Sequence, residues 1–190
     1  RQLARFLLAY FVYMEGVSTI VYYTSIYAQD TLGFTIGELI YLYLVLQTVG
    51  VAGAVGFGLL SDRIGPRTTL IFILILWSLV GLGAALTYSK TLFWFVASAG
   101  ALCLASVQVV SRSMIALMVR REQQVEIFGF YGISGKLSSA FGPLLFGLIS
   151  LLSGSQRAAM LAVGLFFFVG LLLLLRVEEP GQKGELAYGG

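Results

Sequence analysis

The sequence predicts an all-α membrane protein, a bundle of six transmembrane helices, on three observations. Hydrophobic residues make up 58% of the chain and charged residues 11%, with a mean hydropathy of +0.92, whereas an ordinary globular domain is about one-quarter charged. The apolar residues are gathered in uncharged runs, such as Leu39 to Leu60 and Thr68 to Ser89, each long enough for one crossing of roughly 20 residues. No ten-residue blocks alternate with period two, as barrel strands would, and a helix satisfies its own backbone groups inside lipid.

Hydropathy places the crossings at Leu3 to Ala28, Ile36 to Leu60, Thr68 to Tyr88, Leu92 to Met118, Glu126 to Leu152 and Arg157 to Arg176. Residues 1–176 then form the bundle, and 177–190 a disordered tail rich in glycine and charge. An even number of crossings leaves both termini on one face. Arg1, Arg5, Arg63, Arg67, Arg120, Arg121, Arg176 and Lys183 fall on that face and only Lys90 and Arg157 on the other. Short loops rich in Lys and Arg stay cytoplasmic, so both termini are expected inside. The chain starts at Arg1 rather than Met and runs at once into a crossing, which reads as a segment of a longer protein. The first apolar run is too long, and followed by too many others, for a cleavable signal peptide.

Small residues forecast where helices approach. Gly50, Ala54 and Gly58 recur at four-residue spacing on the second helix, and Gly132, Gly135, Ser139 and Gly142 line the fifth; such stripes let a neighbour come close. Pro143 follows and should kink the fifth helix. Tyr22, Tyr23, Tyr27, Tyr88, Trp94 and Tyr131 lie toward span ends, where amphipathic rings favour the interface.

Polar side chains at membrane depth need a reason, since an ionised one at the bilayer centre costs at least about 2.5 kcal/mol. Glu15, Gln47, Gln108, Arg112 and Lys136 are the candidates for a substrate or ion pathway. Ser18, Thr19, Tyr22 and Ile26 follow Glu15 at helical spacing and draw one polar stripe, expected to face a cavity. The alternative for Glu15 and Lys136 is a buried ion pair between the first and fifth helices that only holds the bundle together, and one pair can do both. Arg112 is either a cation on the pathway or an anchor reaching the interface.

A charged turn of about seven residues joins the second and third crossings. In it Gly58, Asp62, Arg63, Gly65 and Arg67 stand at the spacing G-x-x-x-D-R-x-G-x-R, with Pro66 suited to a first helical position. This resembles the signature loop of the major facilitator superfamily, between the second and third helices of each six-helix half. The resemblance implies that Asp62 and Arg63 latch the two halves together in the outward-facing state. Further stretches, Ala9 to Val17, Ser25 to Gly33, Ser111-Arg112-Ser113 and Phe128 to Lys136 followed by Gly142-Pro143, resemble the second half of the vacuole effluxer group, also called autophagy-related protein 22-like. That group implies a twelve-helix carrier whose eukaryotic relatives export amino acids from vacuoles.

The expected function is therefore that of the C-terminal half of a secondary transporter, moving a small polar solute, with amino acids as a candidate class, by alternating access. Its expected partners are the bilayer, the solute with a coupled proton, and a preceding six-helix half. The expected site is the bacterial cytoplasmic membrane, or the vacuolar membrane in a eukaryote. Alternatives are a membrane binding or signalling protein with a transporter fold, and a half-transporter acting as a homodimer. Histidine is absent and Cys103 stands alone. With no nucleophile and base pairing, metal-ligand cluster or phosphate loop, neither an enzyme, a metal nor a cofactor is expected. Scattered basic residues argue against nucleic acid.

Overall fold

A computed structural model describes residues 2–119 and 124–178; within the latter the side chains of 124–126, 128, 130 and 133–140 are not described. The described residues form six helices and no strand. They are α1 (Gln2–Asp30), α2 (Ile36–Ile64), α3 (Pro66–Leu86), α4 (Lys90–Met118), α5 (Gln124–Ser153) and α6 (Gln156–Leu175). Among the described residues α1, α2, α3, α4 and α6 are long and apolar enough to cross a membrane, and the described stretch Phe141–Ser153 of α5 is apolar too.

Backbone chemistry sets the ends. Thr35 and Glu38 form a reciprocal capping box that starts α2, satisfying two N–H groups that the first turn leaves without partners. Ser89 caps α4 by accepting from the Leu92 N–H. Between α2 and α3 stands Gly65 alone, with φ 86° and ψ 153°, a region essentially confined to glycine. Pro66 begins α3, where its missing N–H costs nothing. The seven-residue turn expected from the charges is thus a one-residue corner. Asp62 and Arg63 lie in the last turn of α2, because a helix continues until a backbone breaker stops it, whatever its charge.

The helices fall into two triplets of matching lengths. α4 starts 88 residues after α1 (2 to 90), α5 starts 88 after α2 (36 to 124) and α6 starts 90 after α3 (66 to 156). Packing repeats with the lengths: α1 lies on α5 and α6, α4 on α2 and α3, and α3 on α6. Exchanging the triplets leaves that pattern unchanged. Since consecutive helices run in opposite directions, two three-helix units are related by an inverted repeat, the plan of many secondary carriers.

A reciprocal pair of arginines binds α3 to α6. Arg67, second residue of α3, donates to the Leu175 carbonyl at the end of α6 (3.0 Å). Arg157, second residue of α6, donates to the carbonyls of Ala85 (3.0 Å) and Thr87 (2.6 Å) at the end of α3. Each cation sits where its partner helix has carbonyls without intrahelical donors and the negative end of its dipole. These contacts define two faces of the bundle. Gly65, Arg67 and Leu175 gather on one; on the other are Arg157, the Lys90–Glu38 ion pair (2.7 Å) and the Gln156–Asp30 hydrogen bond (3.3 Å).

Close approaches differ from those forecast. On α2 the tight residue is Gly53: a Cβ there would lie 2.6 Å from Leu102 Cα and 2.8 Å from its carbonyl carbon. Gly50 touches α4 more loosely, and Gly58 has nothing within 4 Å. On α5 Gly142 is tight against α1, whereas Gly132 is open. Gly135 and Ser139 lie outside the described side chains. Spacing finds the stripe, but only the neighbour decides which member it touches.

Candidate functional site

Two regions bring polar or cavity-lining side chains together. The first is a cavity of about 470 Å³ bounded by α1, α2, α3 and α4, with Met160 of α6. Ile20, Val21 and Thr24 come from α1, Tyr43, Gln47 and Gly50 from α2, Trp77 from α3, and Phe93, Gly100 and Leu104 from α4. These positions lie in the half of the bundle nearer Lys90 and Arg157. The walls are mostly apolar, their neutral polar groups including Thr24, Tyr43 and Gln47. Toward the Gly65 face α1 and α4 are joined instead. The buried Tyr13 and Ser111 hydroxyls hydrogen-bond at 2.7 Å, and Ser111 also donates to the Val107 carbonyl. The α1–α4 pair is therefore tied by Tyr13 and Ser111 toward the Gly65 face and flanks a cavity toward the other, where the Tyr27 and Phe93 rings meet again at 6.0 Å.

The second region is the seam between α1 and α5. Glu15 is only 2% exposed. Its Oε2 accepts the Gly142 N–H at 2.5 Å, while its Oε1 has no hydrogen-bond partner. One turn on, the Thr19 hydroxyl donates to the Glu15 carbonyl (2.7 Å). A turn beyond, Tyr23 donates to the Pro143 carbonyl (3.1 Å) and stacks on Phe146 at 3.9 Å. Pro143 stands inside α5, where it supplies no N–H of its own, and α1 side chains reach the Gly142 N–H and the Pro143 carbonyl on either side of that residue's nitrogen.

The polar stripe of α1 is thus Glu15, Thr19 and Tyr23 and faces α5, not the cavity. Ser18 is half-buried, and Tyr22 and Ile26 are exposed. The tyrosines divide as well. Tyr22 and Tyr88 are exposed, Tyr88 carrying the Arg157 guanidinium 3.9 Å above its ring. Tyr27, by contrast, is fully buried and donates to the Ala84 carbonyl (2.8 Å), and Tyr131 is buried against Tyr10 at 4.3 Å. A helix end can be packed against its own bundle as well as against the interface.

Of the pathway candidates, Gln47 lines the cavity. Gln108 is half-buried and Arg112 exposed, one turn apart on α4, and neither is among the residues lining the cavity. The Lys136 side chain lies outside the described residues, so the pair with Glu15 has no counterpart to report. Asp62 and Arg63 are exposed. Among the described residues no three potential ligands converge on a metal position.

Fold and site define a class: a polytopic helical membrane protein built from two inverted triplets around a cavity between its first and fourth helices. The family described as vacuole effluxer Atg22 like matches residues 1–186, and the chain belongs to it. It is 33% identical over 179 residues to an uncharacterized MFS-type transporter, YxiO, of Bacillus subtilis, covering 94% of this chain and 42% of that protein. It is 29% identical over 196 residues to Autophagy-related protein 22 of Kluyveromyces lactis, covering 95% and 39%. With Autophagy-related protein 22-1 of Penicillium rubens the identity is 25% over 199 residues, covering 97% and 34%. The chain spans about two-fifths of the first two of these curated relatives.

Proposed function

We propose that the chain is the C-terminal half of a secondary active transporter that moves a small polar solute, amino acids being the first class to test, by alternating access. The observation that carries this reading is the cavity flanked by α1 and α4 in one half of the bundle, while Tyr13 and Ser111 join the same two helices in the other half. In a two-half carrier a midplane site opens to one side while the other is shut. Kinship with an MFS-type transporter and with autophagy-related proteins 22 supports the same reading.

In this account the Gly65 face is cytoplasmic, as the positive-inside rule favours. Its two exceptions support this, since Lys90 is held by Glu38 and Arg157 by the end of α3. Asp62 and Arg63, exposed at the end of α2 and without hydrogen bonds among the described residues, are free to latch onto a preceding half. Gln47 offers hydrogen bonds to solute in the cavity, and Gln108 and Arg112, farther along α4 toward the Gly65 face, would meet the solute as it leaves. On this reading the carrier sits in the cytoplasmic membrane of a bacterium, or in the vacuolar membrane of a eukaryote.

The test is uptake by full-length protein in proteoliposomes, offered labelled amino acids with and without a proton gradient. Saturable uptake of at least one, abolished in liposomes without protein, is expected. No uptake of any under either condition would overturn the amino-acid reading, and failure of a wider panel of polar solutes would overturn transport itself.

A further inference from the structure

Glu15 is a buried carboxyl whose surroundings are those of a neutral acid. An ionised carboxylate offers about four acceptor sites, and a charge taken out of water is retained only where donors or a counter-ion replace the solvent. Here the Gly142 N–H serves Oε2, and Oε1 has no partner. Among the described side chains the neighbouring elements bring no charge to the carboxyl. From α6 the Phe167 ring closes on Gly16, and no ionisable residue stands between Arg157 and Arg176. From α5 come Pro143 and Phe146, with Tyr131 further toward the Gly65 face; the Lys136 side chain lies outside the described residues. On α4 Arg112 is exposed, next to the Ser111 that meets Tyr13. Tyr41 and Tyr43 of α2 are exposed, and on α1 Tyr13 and Tyr10 stand two and five residues before Glu15. No ionised group among the described residues acts on the carboxyl. A metal ion is poorly suited to the place, because the Gly142 N–H is aimed at one oxygen and the Thr19 hydrogen is given to the Glu15 carbonyl.

We propose that Glu15 is a proton-binding site, neutral in this conformation, that latches α1 to the backbone of α5 at Gly142 and Pro143 and releases its proton to water when the two helices part. On release the O–H bond at Oε1 breaks, the proton joins a water molecule and the electron pair stays on the carboxylate, which is then hydrated. Closing the seam reverses each step. Glycine at 142 makes the latch possible: a Cβ there would lie 2.6 Å from the Glu15 carbonyl and 2.9 Å from Oε2. Tyr23 holds the Pro143 carbonyl, so α1 grips the α5 backbone at two adjacent residues. The inference goes beyond the transport reading and stands whether or not a solute is carried, since neither test below involves flux.

The experiment is an infrared pH titration of the full-length protein in lipid nanodiscs. Wild type should show the carbonyl stretch of a protonated carboxylic acid at neutral pH, titrating away as one proton on alkalinisation and missing from Glu15→Gln. The glutamine keeps a carbonyl oxygen for the Gly142 N–H and should fold. In parallel, spin labels at Val21→Cys and Leu148→Cys report the seam: their separation should grow at alkaline pH with Glu15 present and stay fixed in the Glu15→Gln background. Absence of a neutral-pH band that Glu15→Gln removes would overturn the proposal, as would a band that emerges only in Lys136→Met, because the carboxyl would then be ionised and paired. A band that titrates while the separation stays constant would overturn the latch.

Discussion

Replacing Gly53 by alanine tests the tightest contact between α2 and α4. The added methyl would lie 2.6 Å from Leu102 Cα and 2.8 Å from its carbonyl carbon, and it would overlap the Leu102 carbonyl oxygen. Ordinary contact begins at 3.4 Å, so the helices must part by about 0.8 Å or more (3.4 less 2.6). The obstruction is backbone, which cannot turn aside as a flexible side chain would. Overpacking of this kind costs about 1–3 kcal/mol, less the roughly 1 kcal/mol that alanine gains over glycine within a helix. Gly56, one turn along α2 with nothing within 4 Å, is the matched control, in which only the helical gain applies. Unfolding in mixed micelles with a denaturing detergent should therefore rank Gly56→Ala at or above wild type and Gly53→Ala below Gly56→Ala by about 1–3 kcal/mol. Equal stability of the two variants would refute the close approach of α2 to α4, and with it the triplet packing built on that contact.

Other perturbations follow from the same geometry. Arg67→Gln and Arg157→Gln each remove a cation from the carboxyl end of a helix and should each lower stability by about 1 kcal/mol; in the same unfolding assay the double variant should show the sum, the sites being about 30 Å apart along a 21-residue helix. Gly65→Ala forces a side chain into a backbone region open to glycine and should cost about 1–3 kcal/mol, whereas Gly58→Ala, in open space, should cost nothing; equal melting temperatures for the pair would contradict the one-residue corner. Tyr13→Phe deletes the α1–α4 hydrogen bond at a cost of about 0.5–1.5 kcal/mol, toward the lower end because Ser111 keeps the Val107 carbonyl, again read by unfolding.

The sequence made the helices legible because lipid admits so few alternatives: long uncharged runs fix their number, and Gly65-Pro66 fixes one junction to the residue. What it obscured has physical causes. Hydropathy ends at the first charge, so Asp62 and Arg63 read as loop although the backbone stays helical to Ile64. The stripe containing Glu15 was visible, but whether it met a cavity or α5 depends on the order of helices around the bundle. Gly53 was passed over for the regular series Gly50, Ala54, Gly58, since spacing within one helix carries no information on the register of its partner. Tyr13 and Ser111, 98 residues apart, carry no shared local signal. Offsets of 88 to 90 residues between like helices could have been found from the span lengths alone, and would have pointed to the pairs α1–α5 and α2–α4.

The most direct test of a carrier half is the accessibility of its cavity. Ala97, on the α4 wall, is replaced by cysteine in a cysteine-free full-length protein, with the buried Cys103 changed to alanine, and labelled by a membrane-impermeant thiol reagent from each side of sealed, oriented vesicles. Alternating access predicts labelling from the side that bears Lys90 and Arg157, declining when saturating transported solute is present on the opposite side, with labelling from that side rising in step. Labelling from one side only, unchanged by any solute that the uptake assay finds active, would contradict it.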